Sequence, residues 1–252
     1  MKRKLKVGLF IPCYVDQFYP QVAKATLQLL RKFDCDVEYP TNQACCGQPM
    51  ANAGFQNRAR AAHRSFEKNF DRFDYVVSPS GSCVLYVRDH HPPHISAEEP
   101  AGSADLSERT WELCEFLTDV VGVESTGATC NRRVGLHQSC HGLRGLRLGA
   151  GSERQLQAEN KVRSLLEMVD GITLVDLDRP DECCGFGGTF AVTEEAVSVR
   201  MGTDRLADHL SHRAEIITGT DMSCLMHLEG LARRRSESVS FRHVAEILNG
   251  DV

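Results

Sequence analysis

Two Cys-Cys-Gly triplets constrain the fold of this 252-residue chain more than any other feature. They are Cys45-Cys46-Gly47 and Cys183-Cys184-Gly185, and each has one cysteine upstream and one downstream, always after an apolar run. The upstream gaps are 31 and 42 residues, and the downstream gaps are 36 and 39 residues. The chain therefore reads as one unit written twice. We call its two groups the first cysteine set and the second cysteine set: Cys13, Cys45, Cys46 and Cys83, and Cys140, Cys183, Cys184 and Cys224.

Apolar periodicity predicts the order strand, helix, strand, helix, strand in each half, which is typical of a parallel sheet with helices on its faces. The first half has predicted strands at 5–12, 37–39 and 74–78 and helices at 21–33 and 56–70. The second half has strands at 134–138, 172–177 and from Ile216, and helices at 154–169 and 193–212. We predict an α/β fold of two similar Rossmann-like lobes with parallel sheets, related by a pseudo-twofold internal repeat.

The lobes are predicted to span residues 1–120 and 121–252. A helix at 108–120 closes the first lobe, and a short helix at 241–248 closes the second. Segment 89–109 is punctuated by proline, glycine and serine, which indicates a linker or a surface excursion.

Both cysteine sets follow the ends of predicted strands or the turns beside them. The carboxyl ends of parallel strands form the crevice in which open α/β sheets bind ligands. We therefore expect each set to converge in its own crevice.

Four converging thiolates suit a soft metal centre, either an iron–sulfur cluster or tetrahedral zinc. Adjacent cysteines are easier to use on a large cluster, because each sulfur then reaches a different iron. Gly47, Gly185 and Gly187 would allow the backbone to approach such a centre closely. Zinc and a vicinal dithiol/disulfide couple remain alternatives, although a vicinal disulfide leaves the flanking cysteines unexplained. Cys35, Cys114 and Cys130 have no counterparts in the repeat and are predicted to be buried apolar residues.

Histidines near these motifs have two interpretations each. His141 follows Cys140 and is a candidate donor or proton carrier beside a metal centre, or a histidine satisfied within the fold. His137 precedes Cys140, and we predict a satisfied histidine at a strand end. His90, His91 and His94 match no common metal-ligand spacing, so we predict a solvated loop.

Composition restricts the class of protein. A net charge of -5 argues against general nucleic-acid binding. The chain has no apolar run long enough to span a membrane and no signal-peptide pattern at its start, from which we expect a cytoplasmic protein.

The cysteine segments resemble those of the lactate utilization protein A family, which is related to the cysteine-rich component of heterodisulfide reductase and to the iron–sulfur component of glycolate oxidase. The resemblance rests on five segments that together span nearly the whole chain: 12–20, 44–49, 139–144, 183–190 and 221–227.

This resemblance implies an iron–sulfur electron-transfer subunit of a three-protein system that oxidises L-lactate to pyruvate. It implies one or two [4Fe–4S] clusters per chain and other subunits of a lactate-oxidising complex as partners, through which peripheral membrane contact is possible. It also implies that the chain is the iron–sulfur oxidoreductase component of an L-lactate dehydrogenase-type complex.

The chain departs from the reductase-type motif at two positions. That motif ends in Cys-x-x-Cys, and here Ser80 and Asp221 stand where its first cysteine would be. Four thiolates per lobe suffice for an ordinary [4Fe–4S] cluster. We therefore predict that Ser80 and Asp221 are polar neighbours of the centres and not ligands.

Overall fold

The computed structural model describes residues 4–91, 106–155 and 159–252, which form two lobes of alternating strands and helices. In the first lobe, four parallel strands are ordered β2-β1-β3-β4. Its elements are β1 (Lys6–Leu9), α1 (Cys13–Phe18), α2 (Pro20–Lys32), β2 (Asp36–Glu38), α3 (Gln48–Asn52), α4 (Gln56–Phe70), β3 (Tyr75–Ser78), α5 (Gly81–His90), β4 (Thr110–Glu112) and α6 (Leu113–Phe116).

The second lobe repeats this arrangement, with four parallel strands ordered β6-β5-β7-β8. Its elements are β5 (Arg133–Leu136), α7 (Lys161–Glu167), β6 (Thr173–Leu174), α8 (Phe190–Thr193), α9 (Glu195–Ser211), β7 (Ile216–Gly219), α10 (Met222–Arg234), β8 (Ser240–His243) and α11 (Val244–Asn249). The register is also repeated, because β1 pairs Leu9 with Val77 and β5 pairs Leu136 with Thr218. The predicted fold class is confirmed.

The last helix of each lobe packs against the other lobe. Helix α11 packs on α2, and α6 packs on α7. Helices α2 and α11 pack together because both are amphipathic. Val22, Ala25 and Leu29 of α2 are fully buried, and so are Val244 and Ile247 of α11. The apolar core is consequently continuous across both lobes.

The fourth strand of each sheet was not predicted. The segment predicted as a helix at 108–120 contains β4, followed by α6 and a π-helical turn at Leu117–Val121. The predicted helix at 241–248 begins within β8. In both places the strand passes directly into a helix, because Glu112 accepts a hydrogen bond from the Cys114 amide at 2.7 Å and His243 from the Ala245 amide at 3.1 Å. No turn residue separates strand from helix, so the sequence shows one uninterrupted segment.

Two further predictions need correction. The prediction of a solvated loop is wrong for His91, which is buried with its Nε2 donating to the Cys46 carbonyl at 2.8 Å. His90 is solvent-exposed as predicted, but it is the last residue of α5 and does not lie in a loop. His94 lies outside the described residues. Helix α7 begins at Lys161 and not at 154, because the Asn160 side chain caps it by accepting from the Arg163 amide at 3.0 Å.

No helix in the described parts of the chain has the length and apolar character needed to cross a membrane.

Candidate metal centres

The first cysteine set converges at the carboxyl end of the first sheet. Cys13 begins α1, and Cys83 lies in the first turn of α5. The Sγ atoms of Cys13 and Cys45 are 3.8 Å apart, and those of Cys46 and Cys83 are 3.6 Å apart. The two adjacent cysteines therefore approach different partners within one compact group of sulfurs.

The second cysteine set is arranged in the same way. The Sγ atoms of Cys184 and Cys224 lie within 4.8 Å of each other. Cys140 and Cys183 interact strongly enough to shift each other's pKa in opposite directions. Cys224 lies in the first turn of α10, the position that Cys83 has in α5. The structure thus brings together all eight sequence-predicted cysteines in two groups of four.

The triplet glycines shape the backbone beneath the sulfurs. Gly47 and Gly185 have φ angles of 98° and 86°, a conformation that side chains disfavour. Their amides donate to Cys45 Sγ at 3.5 Å and to Cys183 Sγ at 3.3 Å. A Cβ on Gly185 would lie 2.6 Å from the Ser198 carbonyl oxygen. Gly187, with a φ of 53°, forms the turn before α8.

Each set contains one thiol that ionises easily. Hydrogen bonds from Cys13, Cys46 and the Gly47 amide lower the pKa of Cys45 to about 3. Hydrogen bonds from Cys140, Cys184 and the Gly185 amide lower the pKa of Cys183 to about 2. The donor thiols, Cys13 and Cys46 in the first set and Cys140 and Cys184 in the second, have raised pKa values because of these hydrogen bonds and of burial. A thiolate that is already formed and surrounded by further thiols is ready to bind a metal.

His137 is the functional candidate that the sequence analysis misjudged. Its side chain is 1% exposed, and neither ring nitrogen has a hydrogen-bond partner. One nitrogen lies within 4.8 Å of the sulfurs of Cys184 and Cys224. Burial lowers the pKa of His137 to about 3, so the ring is neutral at pH 7. The prediction of a satisfied histidine is therefore wrong, whereas His141 is exposed beside Cys140 and its role stays a prediction.

Ser80 and Asp221 meet across the two lobes. Ser80 Oγ donates to Asp221 Oδ1 at 2.9 Å, and the Ser82 amide and hydroxyl donate to the same oxygen at 3.0 and 2.7 Å. Ser80 also caps α5 by accepting from the Cys83 amide at 3.3 Å. These contacts join the first turns of α5 and α10, which carry Cys83 and Cys224. The rings of Tyr14 and Phe186 make a second contact between the lobes, with centroids 6.1 Å apart.

The donor chemistry of both sets fits a soft metal centre. Thiolates are the preferred ligands of zinc and of iron–sulfur clusters, and backbone amides that donate to the sulfurs are typical of both. All the donors are supplied by short loops and helix starts at one end of a rigid sheet.

Comparison with known proteins agrees with this geometry. The family model of the CCG cysteine-rich domain matches residues 7–88 and 134–229. Lactate utilization protein A of Bacillus velezensis is 38% identical over 248 residues, which cover 97% of this chain and 99% of that protein. The chain belongs to the lactate utilization protein A family. The proteins of the same name from Bacillus subtilis and Geobacillus kaustophilus are each 37% identical over 97% of this chain and 99% of theirs.

In this lactate utilization protein A family member, the two matched ranges contain both cysteine sets. Cys114 and Cys130 lie between the ranges, and these two cysteines and Cys35 are 0%, 3% and 6% exposed, which confirms the prediction that they are buried. Among solved structures, glutamate racemase RacE1 of Bacillus anthracis aligns over 99% of this chain and 80% of its own, at 11% identity and a TM-score of 0.33. We draw no functional conclusion from that likeness.

Proposed function

We propose that this protein is an iron–sulfur electron-transfer subunit of a system that oxidises L-lactate to pyruvate. The substrate is taken from the relatives, which are named for lactate utilization, and from the family resemblance of the cysteine segments. The other subunits of that system would be its partners.

The observation that carries the proposal is the pair of four-sulfur groups at matching places in the two lobes. When bound, a [4Fe–4S] cluster accepts and releases one electron at a time. Oxidation of lactate to pyruvate releases two electrons, so two centres would suffice to store the electrons of one turnover.

The residues of this chain would bind the clusters and stabilise their charge. The eight cysteines of the two sets would be the ligands. The Gly47 and Gly185 amides, and the Phe186 amide that donates to Cys184 Sγ at 3.5 Å, would hold the negative charge on the sulfurs. Cys46 and Cys184, at 2% and 3% exposure, would place their side of each centre away from water.

A structural zinc site in each lobe is a second candidate, and one observation favours it. Two sulfurs bound to one tetrahedral zinc at about 2.3 Å lie about 3.8 Å apart. The sulfur contacts of 3.8 and 3.6 Å in the first set match that spacing. A cluster would require the paired sulfurs to spread so that each reached a different iron.

Metal and sulfide analysis of protein purified without oxygen distinguishes the two candidates. We expect about eight irons and matching acid-labile sulfide per chain, with an EPR signal on reduction. Zinc without sulfide in such protein would refute the electron-transfer proposal and leave a scaffold.

Matched cysteine variants test whether the metal is bound by the cysteine sets. Cys13→Ser, which removes a ligand of the first set, is expected to lower the iron content toward four per chain. Cys35→Ser changes a buried cysteine outside both sets and is expected to leave it unchanged. The lactate assignment is tested separately, by asking whether lactate reduces the protein only when its partner subunits are added.

A further inference from the structure

The two lobes differ in the residue that directly follows their first strand. Phe10 follows β1, and its amide donates to the Val77 carbonyl at 2.9 Å. His137 follows β5, and its amide donates to the Thr218 carbonyl at 2.7 Å. Val77 and Thr218 occupy the same register position of the two sheets, so Phe10 and His137 are equivalent residues.

The equivalence extends along the helices behind the cysteine sets. Gly47 packs on the Ala59 carbonyl of α4, and Gly185 packs on the Ser198 carbonyl of α9, which aligns Ala59 with Ser198. Seven and eleven residues further along, this alignment pairs two phenylalanines of α4 with two basic residues of α9: Phe66 with Arg205, and Phe70 with His209. The contacts agree, because a Cβ on Gly8 would meet Phe70, and a Cβ on the equivalent Gly135 would meet His209.

In the first lobe these positions form an apolar wall. The ring of Phe10 packs edge-on against Phe66 and Phe70, with centroids 5.1 and 5.6 Å apart. All three rings are buried, and they belong to the same apolar cluster as Cys46 and Cys83. These three positions therefore offer no hydrogen bond to the first cysteine set. The buried polar side chains nearby are already engaged, because His91 bonds to the Cys46 carbonyl and Tyr86 bonds to His63.

In the second lobe the same three positions carry nitrogen. His137, Arg205 and His209 are at most 1% exposed, and neither histidine has a hydrogen-bond partner. Arg205 Nη1 pairs with Asp208 Oδ2 at 3.0 Å, while its Nε and Nη2 have no hydrogen-bond partner. Because Asp208 offsets the charge of Arg205, the imidazole of His137 is the main difference in polarity between the two lobes near the sulfurs.

An unpaired buried polar group destabilises the fold, so we expect a protein that retains one to use it. The sulfurs of Cys184 and Cys224 lie within 4.8 Å of a His137 nitrogen, and a cysteine sulfur can accept a hydrogen bond. A hydrogen bond to a ligand sulfur withdraws electron density from the metal and stabilises the reduced state.

We propose that His137 donates a hydrogen bond to the sulfurs of the second cysteine set and thereby gives the second lobe the higher reduction potential. Electrons then pass in one direction: one electron leaves the centre of the first set and enters the centre of the second. His137 is a positioning residue in this scheme. The inference rests on the proposed function, because it requires a redox centre in each lobe.

The test is a reductive titration of the full chain, purified without oxygen and followed by EPR. The wild type is expected to show two reduction steps of different potential. His137→Phe, which copies the first lobe, is expected to lower only the higher step, by at least tenfold in the ratio of reduced to oxidised centre, or 59 mV for one electron. His137→Gln retains an N–H donor and is expected to stay within threefold of the wild type.

Phe10→Leu is the matched control and is expected to leave both steps in place. Two identical steps in the wild type would overturn the inference without any variant. The inference would also be overturned if His137→Phe shifted the lower step or shifted neither step. Loss of about four irons from this variant would overturn it as well, because it would show that His137 is a metal ligand. Absence of iron and sulfide from the wild type would refute the proposed function itself, and metal analysis reveals that before any titration.

Discussion

Replacing Ser80 by alanine tests whether the contact between the lobes is a real determinant of stability. Ser80 is 5% exposed and Asp221 is 2% exposed, so water does not replace their hydrogen bond easily. The substitution removes the 2.9 Å bond from Ser80 Oγ to Asp221 Oδ1 and the cap on the Cys83 amide. The two Ser82 bonds to the same oxygen remain, so the carboxylate is not left bare.

The expected cost follows from these two losses. A hydrogen bond to a charged group contributes about 1.5–3 kcal/mol, and loss of a helix cap costs about 1 kcal/mol. We therefore expect Ser80→Ala to lower the free energy of unfolding by about 3 kcal/mol. Asp221→Asn in the same background should add less than it does alone, because the two side chains share one interaction.

The assay is urea unfolding of the reduced, metal-free protein, so that metal release does not distort the transition. Ser125→Ala is the control, since Ser125 is exposed and bonds only locally to the Gly127 amide at 3.3 Å. That control is expected to change the free energy by no more than about 0.5 kcal/mol. A Ser80→Ala effect as small as the control's would show that the contact between the lobes does not stabilise the fold.

Three further predictions follow from single residues. Gly185→Ala should lower the free energy of unfolding by about 3 kcal/mol and deplete metal from the second set, because φ is 86° and the new Cβ would lie 2.6 Å from a carbonyl oxygen. The control Gly188→Ala, with a φ of 65° but open space around the new Cβ, should lower it by only about 1–2 kcal/mol and retain the metal. Burial raises the pKa of Glu112 from 4.5 to about 8. Its contribution to stability is therefore complete below pH 4.5 and is lost, at about 1.4 kcal/mol per pH unit, as pH rises to 8. The free energy of unfolding should depend less steeply on pH in Glu112→Gln than in the wild type, and an unchanged slope would contradict this. Burial lowers the pKa of His243 to about 4 from 6.5, so its contribution should be lost as pH falls through that interval, and His243→Asn, which keeps a capping side chain, should weaken that acid sensitivity in the same measurement.

The repeat, the parallel sheets and the convergence of the cysteines were predictable because each depends on local periodicity and on strand ends. Helix α4 was predicted at 56–70 and found there, since Ala59, Ala62 and Phe66 mark one buried face. Strands β4 and β8 were not predicted, because three or four residues are too few to show a period before a capped helix begins.

The contact between Ser80 and Asp221 could not be predicted, because it joins residues 141 positions apart through the packing of one lobe on the other. The prediction for His137 was wrong for a different reason. A histidine at a strand end is compatible with many environments, so the residue alone says little. The signal that was available is the internal repeat itself, which aligns His137 with Phe10 and shows that the lobes differ in chemistry at a buried position.

These two features bear on the same property of the molecule. If both lobes hold redox centres, transfer between them depends on their separation and on the difference in their potentials. The Ser80–Asp221 bond fixes the first turns of α5 and α10 against each other, and those turns carry Cys83 and Cys224. In our proposal, the exchange of Phe10 for His137 makes the two centres unequal while the cysteine framework stays the same. The duplicated fold would then supply two matching metal sites, and a few buried side chains would set the direction of electron transfer between them. Ser80→Ala should therefore slow transfer between the centres without moving either potential, whereas His137→Phe should move one potential and leave the separation unchanged.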